Sequence, residues 1–287
     1  MATIQDTTRS LKETLQQLYP APEAGAMAQQ VVEHVLQKSR LELSLTREQE
    51  VEEQHLAAIQ KITERLLQQE PLQYVLGVAH FYDLELLVDQ RVLIPRPETE
   101  ELVHLILQQH KGRQHLHILD IGTGSGCIPI ALATNLQGAQ VCGLDVSADA
   151  LAVARANAEK YKVNITWLQQ DVFEPVAAIP AHSLDILISN PPYVLESEME
   201  LMRANVLEFE PHLALFVPDN NALKYYNRIA VLGQQLLKPG GGLYFEINER
   251  YGQATQQMLE QAGYKQVKVL QDLFGKERMV AAVWGKS

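Results

Sequence analysis

Four residues in the second half of the chain, Asn190-Pro191-Pro192-Tyr193, follow an apolar strand-like run ending in Leu187-Ile188-Ser189. Each proline fixes its own φ, lacks an N–H and pushes the residue before it out of helical geometry, so Asn190 and Pro191 are expected to be extended. The Asn190 side-chain carbonyl and the Pro191 backbone carbonyl are then two acceptors at a strand end, and Pro192 keeps the second one exposed. Two acceptors match the two N–H bonds of a planar NH₂ group, a poor nucleophile because its lone pair is delocalised. Gripping both bonds would orient the nitrogen and stabilise positive charge as it develops. Tyr193 adds a ring to pack on the planar group and to sense a nearby cation. The plainer reading of the four residues is a rigid strand stop, and by themselves they do not choose among adenine, guanine and glutamine.

Three further features fall at the ends of strand-like runs. The run LHILD leads into Gly122-Thr123-Gly124-Ser125-Gly126, after which a helix begins. Glycines at the carboxyl end of a strand let backbone approach a ligand closely, and in open α/β sheets ligands sit there. The dinucleotide fingerprint is GxGxxG, whereas this is GxGxG, with Cys127 in the place of the third glycine. The next strand, VCGLD, ends at Asp145, where a carboxylate can accept both hydroxyls of a ribose, a requirement shared by NAD and S-adenosylmethionine sites. The third, ITWLQQD, ends in Asp171-Val172, expected beside an adenine ring. Singly, a glycine turn is a turn and a strand-end aspartate is a helix cap. Together with NPPY after the fourth strand, they form the layout of enzymes that use S-adenosylmethionine to methylate a planar nitrogen. No strong general base is needed, because the methylated nitrogen is acidic enough to lose its proton to water.

The elements that must position these residues alternate from Glu98 onward: apolar runs are separated by amphipathic helices, and two closing runs, YKQVKVLQ and ERMVAAVWG, have no helix between them. The expected fold is therefore α/β, a mostly parallel sheet covered on both faces with an antiparallel hairpin at its C-terminal end. Upstream, Leu11, Leu15 and Leu18, then Val31, Val32, Val35 and Leu36, then Leu56, Ile59, Ile62 and Leu66 recur at helical spacing, which predicts a small acidic helical bundle. Between bundle and sheet, HFYDLELLVDQRVLIP holds two strand-like runs around Asp89-Gln90 and predicts a β-hairpin. The expected domains are 1–72, helical; 73–97, hairpin linker; and 98–287, catalytic.

Composition narrows the function classes. Net charge is −11, and residues 1–90 carry 7 Lys and Arg against 14 Asp and Glu. A protein gripping a phosphate backbone usually presents a basic face, so the balance disfavours a nucleic-acid substrate. The two cysteines, Cys127 and Cys142, form no CxxC pair, and the nine histidines form no HExxH or Cys/His cluster. Small core thiols in a reducing compartment and no metal site are expected. No apolar run of eighteen residues exists and the N-terminus is polar, so a cytoplasmic protein without a membrane segment is expected.

The stretch Glu70 to Val103, containing IPRPETE (Ile94 to Glu100), with DIGTGSGCIPIALA, SNPPY, EFEPHLAL (Glu208 to Leu215), KPGGGLYFEI and ERMVAAV, closely resembles the HemK/PrmC family over essentially the whole chain. Members are protein-glutamine N5-methyltransferases acting on the Gly-Gly-Gln motif of bacterial class I peptide chain release factors. The resemblance implies a Rossmann-like S-adenosylmethionine-dependent methyltransferase fold preceded by a helical substrate-recognition domain. It implies cofactor contacts from Gly122, Thr123, Gly124, Ser125, Gly126, Asp145, Asp171, Val172 and Asn190. It places Asn190, Pro191, Pro192 and Tyr193 around the substrate glutamine, with Asn190 and Pro191 as the catalytic acceptors. Val172 departs from members that have Trp, so it covers less of the adenine. Phe81 and Arg96 lie in stretches the family keeps near the active-site mouth. A monomer that binds release factors, without direct nucleic-acid contact, is expected. The rival readings are an adenine or guanine N-methyltransferase and a non-catalytic protein that docks on translation factors.

Overall fold

The computed structural model describes residues 2–285; Met1, Lys286 and Ser287, at the ends of the expected domains, lie outside them. The chain forms two compact units. One comprises Met1–Val78 together with Arg203–Phe209, and the other Ala79–Met202 with Glu210–Ser287.

The first unit is helical. Helices α1 (Ile4–Leu15), α2 (Ala21–Leu36), α3 (Arg40–Leu45), α4 (Glu53–Leu67) and α5 (Leu72–Leu76) enclose a core of Leu11, Leu15, Val31, Val32, Ile59 and Leu66. Pro20 and Pro22 set the start of α2, where a missing N–H has no intrahelical partner to lose. The short α3 shows no apolar repeat but has a capping box, with Ser39 and Glu42 each satisfying the other's backbone N–H. Leu18, counted with the apolar stripe of α1, lies beyond its last turn and is half exposed. Arg65 closes the end of the unit with paired bonds of 2.7 and 2.6 Å to Glu70 and a third to the Val75 carbonyl.

The second unit opens with β1 (Val78–Phe81) and β2 (Leu84–Leu87), paired across Tyr82-Asp83. The hairpin therefore turns seven residues before the expected Asp89-Gln90. Tyr82 and Asp83 both take positive φ, 46° and 62°, the geometry of a tight two-residue hairpin turn. The second apolar run, Val92 to Ile94, is no strand because its backbone is engaged elsewhere: the Ile94 N–H donates to the Glu210 carboxylate. Phe81 is buried in the core and takes no part in the cavity described below.

After α6 (Pro97–Gln109) the chain alternates: β3 (His117–Ile121), α7 (Cys127–Asn135), β4 (Gln140–Asp145), α8 (Ala148–Tyr161), β5 (Ile165–Gln169) and β6 (Leu184–Ser189). There follow the two-residue strands β7 (Val194–Leu195) and β8 (Phe216–Val217), with α9 (Ala204–Phe209) between them in sequence and grouped with the helical unit. The fold ends with α10 (Lys224–Leu236), β9 (Leu237–Glu246), α11 (Gly252–Gln261), β10 (Lys265–Gln271) and β11 (Glu277–Val283). The seven-stranded order is β10-β11-β9-β6-β3-β4-β5, parallel except where β11 joins β9 and β10 antiparallel. Successive residues alternate between two cores: Ile118, Ile186, Ile188 and Tyr244 pack on one face, and Leu119, Leu187, Leu243 and Phe245 on the other. Both faces are therefore covered, as apolar parallel strands require. Strand order reverses between β3 and β6, and a ligand crevice opens at such a switch point. No helix among the described residues is long and apolar enough to cross a membrane.

Candidate active site

At that switch point lies a cavity of about 320 Å³, formed within the second unit by the strand-end loops after β3, β4, β5 and β6. The glycine turn supplies one wall. Gly122, Gly124 and Gly126 all have positive φ, at 75°, 53° and 80°, which a side chain rarely tolerates. At Gly126 packing adds a second requirement, since a Cβ would meet Ala154, Trp167 and Ile130 at 3.1 to 3.2 Å. Gly122 through Ser125 line the cavity, whereas Gly126 sits behind them as the residue capping α7. The turn is pulled toward β4 by bonds from the Gly122 and Thr123 N–H groups to the Leu144 carbonyl.

Asp145 also lines the cavity, with its carboxylate fixed by the Gly124 N–H on one oxygen and the Ser147 N–H on the other, each at 2.9 Å. A carboxylate oxygen has a second lone pair, so both remain able to accept a ribose hydroxyl. Burial raises the Asp145 pKa, opposed by those backbone bonds. Asp171 and Val172 stand at the same end, and the next residue, Phe173, joins them. Its ring meets that of Tyr225 at 5.4 Å between centroids, with Lys224 Nζ 4.8 Å above it. This aromatic wall is one that sequence reasoning missed: Val172 is small, but Phe173 and Tyr225 add ring surface where an adenine is expected.

Asn190, Pro191 and Pro192 form the facing wall. Ser189 locks the end of β6 to β3 through a 2.6 Å bond to the Ile121 carbonyl, which seats NPPY beside the glycine turn. The Asn190 side chain donates from Nδ2 to Thr99 Oγ1 at 3.1 Å. Thr99 donates in turn to Glu246 Oε2 at 2.5 Å, and the Tyr193 hydroxyl donates to Glu246 Oε1 at 3.0 Å. Tyr193, expected to pack its ring on the substrate, anchors its hydroxyl on Glu246 and is not among the residues lining the cavity. Glu246 is 1% exposed; burial raises its pKa against the two hydroxyl donors. Arg96 lines the mouth and is ion-paired at 2.6 Å with the buried Glu210, which ties the IPRPETE segment to EFEPHLAL.

Asp120, the last acid before the glycine turn, was also not singled out. It is wholly buried, and neither carboxylate oxygen receives a hydrogen bond of ordinary geometry, although the Thr123 hydroxyl is close enough to pull its pKa down against burial; Ser125 Oγ is likewise buried without such a bond. Burial, with a smaller contribution from the charge of Asp145, lifts its pKa to about 7. An isolated acid of this kind, beneath a turn whose backbone is bare, fits a ligand carrying positive charge. S-adenosylmethionine, with its sulfonium and ammonium groups, fits these residues.

Comparison with known proteins agrees with this geometry. Residues 99–214 match the family described as Methyltransferase small domain, and residues 8–77 the PrmC N-terminal domain. A release factor glutamine methyltransferase of Bacteroides thetaiotaomicron is 44% identical over 275 residues, covering 96% of this chain and 98% of that protein. The namesake of Lactococcus lactis is 43% identical over 240 residues, covering 83% of this chain and 86% of its own length. Among solved structures, a methyltransferase of Pyrococcus furiosus superimposes with a TM-score of 0.52 at 16% identity, over 79% of this chain and 99% of its own, a likeness of fold alone. On the two full-length relatives, with the glycine turn and NPPY facing one cavity, the chain belongs to the release factor glutamine methyltransferase family.

Proposed function

We propose that the chain transfers a methyl group from S-adenosylmethionine to the side-chain amide nitrogen of the glutamine in the Gly-Gly-Gln motif of class I peptide chain release factors. The observation that carries this reading is the convergence on one cavity of Asn190 and Pro191 with the glycine turn. When bound, S-adenosylmethionine supplies an electron-poor methyl carbon. Asp145 would hold the donor's ribose, the glycine turn would let backbone lie against it, and Asp120 would offer negative charge to its cationic part. Asn190 Oδ1 and the Pro191 carbonyl accept the two N–H bonds of the glutamine amide. That grip turns the nitrogen toward the methyl group and stabilises the positive charge that grows as the N–C bond forms and the C–S bond breaks. The proton then leaves to water, so no side chain has to act as a strong base.

The helical unit serves recognition of the release factor, and the acidic charge of residues 1–90 disfavours a nucleic-acid partner there. The protein works as a cytoplasmic monomer. Incubation with methyl-labelled S-adenosylmethionine and, separately, release factor, release factor lacking the Gly-Gly-Gln glutamine, and nucleic acid tests the reading. Label should enter only the intact factor. Label in nucleic acid and not in the factor would overturn the assignment, and no label in either would favour a docking protein.

A further inference from the structure

Asn190 can serve as an acceptor only if its amide is held one way round, because rotation by half a turn about its last torsion would aim the NH₂ group at the substrate. What fixes that orientation is a directed chain of hydrogen bonds running behind the wall. It begins at Glu246: burial raises its pKa, and the Thr99 and Tyr193 hydroxyls together with the positive charge of Arg278 work against burial to favour the ionised form. Ionised, the carboxylate has no hydrogen to give and takes the Thr99 hydroxyl on Oε2 and the Tyr193 hydroxyl on Oε1. Thr99 has a single hydrogen, and that hydrogen is committed to Glu246. Its oxygen can therefore meet Asn190 only as an acceptor, which draws Nδ2 to it at 3.1 Å. With Nδ2 held by Thr99, Oδ1 is the end of the amide left to accept from a ligand in the cavity that Asn190 lines.

We infer that Glu246 and Thr99 are positioning residues for the transfer: they set which end of the Asn190 amide faces the substrate, Glu246 from behind the wall and Thr99 from the cavity's edge, which it also lines. Two features of the fold support a dedicated relay over incidental packing. Glu246 is at the end of the central strand β9 and Thr99 in the first turn of α6, so both ride on rigid elements, and both are buried, at 1% and 2% exposure. No ion pair within 4 Å holds this acid among the described residues, and the charge of Arg278 acts on it only from farther off, so its direct partners are the two hydroxyls of the relay. Polarity also runs one way only. With a glutamine at 246, the new NH₂ could donate to Thr99, whose hydroxyl would be free to donate to Asn190 Oδ1, and the catalytic amide would be released to flip.

The inference rests on the proposed glutamine transfer for its kinetic test and is independent of it for its structural one. Thr99→Val keeps the shape of the side chain and removes the hydroxyl, Thr99→Ser keeps the hydroxyl, and Glu246→Gln changes one atom. In the full-length enzyme with saturating methyl-labelled S-adenosylmethionine and purified release factor, Thr99→Val and Glu246→Gln should each lower kcat by about tenfold or more. Affinity for S-adenosylhomocysteine, measured by calorimetry, should stay unchanged, and Thr99→Ser should recover most of kcat. In parallel, the Asn190 side-chain NH₂ signals, assigned by their loss in Asn190→Asp, should shift and lose exchange protection in Thr99→Val and Glu246→Gln with the backbone spectrum otherwise retained. Wild-type kcat in both variants, or unmoved Asn190 amide signals in either folded variant, overturns the relay. If Thr99→Val fails to fold, Glu246→Gln alone decides. A wild-type enzyme that labels no release factor sinks the proposed function instead, and the amide signals still judge the relay.

Discussion

Beneath the glycine turn, Asp120 Oδ1 and Oδ2, Thr123 Oγ1 and Ser125 Oγ are buried without hydrogen bonds of ordinary geometry, only the Thr123 hydroxyl acting on Asp120. At the NPPY end, Asn190, Thr99, Glu246 and Tyr193 are joined side chain to side chain. The difference follows from what each end must do. A buried polar atom without a partner is costly, so the donor end is unfinished until a charged ligand arrives. A fully paired network is stiff, which suits an end that must hold two acceptors at fixed places while the reacting nitrogen changes its charge. One end stores a deficit that binding repairs, and the other has its geometry settled beforehand.

Substitutions can break this contrast in a graded way. Asn190→Ala is expected to have the largest effect, a fall in transfer rate of about a hundred- to a thousandfold, as for loss of one preorganised transition-state contact. Cofactor affinity by calorimetry should hardly change; full activity in this variant would remove Asn190 from its role.

Asp120→Asn comes next and should stabilise the ligand-free protein. With a folded pKa of about 7 against the ordinary 3.8 of an aspartate, the native state holds its proton while the unfolded chain has lost it, so stability falls as pH rises across that window. Below it the acid is protonated in both states and contributes nothing. The full penalty, on the order of a few kcal/mol, is present above pH 8. Melting temperatures of the ligand-free protein across this range should therefore drop with pH in the wild type more steeply than in the variant. Parallel curves would show that Asp120 already has a partner.

Asp145→Ala should weaken S-adenosylmethionine binding by roughly ten- to a hundredfold while leaving kcat at saturation near its wild-type value, the loss expected for hydrogen bonds to a charged group. An unchanged dissociation constant takes Asp145 out of the ribose site. The smallest effect is expected at the aromatic wall. Phe173→Ala should raise the dissociation constant of the cofactor by about fivefold, the worth of one ring contact, and a null result would leave Val172 as the adenine's main apolar neighbour.

Much of the donor end was legible because its constraints are local. Positive φ at Gly122, Gly124 and Gly126 demands glycine, and a strand-end acid such as Asp145 sits at a spacing set by one helix and one strand. NPPY was legible for the same reason, since proline dictates backbone geometry to its neighbours. The hairpin lies seven residues upstream of its expected place because Val92 and Ile94 have the apolar character of a strand, whereas the Val92 N–H closes a turn on the Asp89 carbonyl and the Ile94 N–H answers to Glu210, more than a hundred residues away. The anchoring of the Tyr193 hydroxyl on Glu246 was not legible, because the two residues meet only through the fold. Asp120 passed unremarked because an aspartate before a glycine turn reads as an ordinary turn residue until its burial is known.

The sequence by itself determined the backbone features of the site: where the chain must turn tightly, where it cannot donate hydrogen bonds, and which strand ends carry acids. These rest on φ restrictions and donor counts that each residue brings wherever it goes. Only the tertiary structure decided how side chains are paired. Strand β6 lies beside β3, which sets NPPY against the glycine turn, α6 brings Thr99 to Asn190 across 91 residues of chain, and β9 brings Glu246 to Tyr193 across 53. Hydrogen-bond direction and buried charge depend on such neighbours, and a neighbour so distant in sequence is set by the folding of the whole sheet.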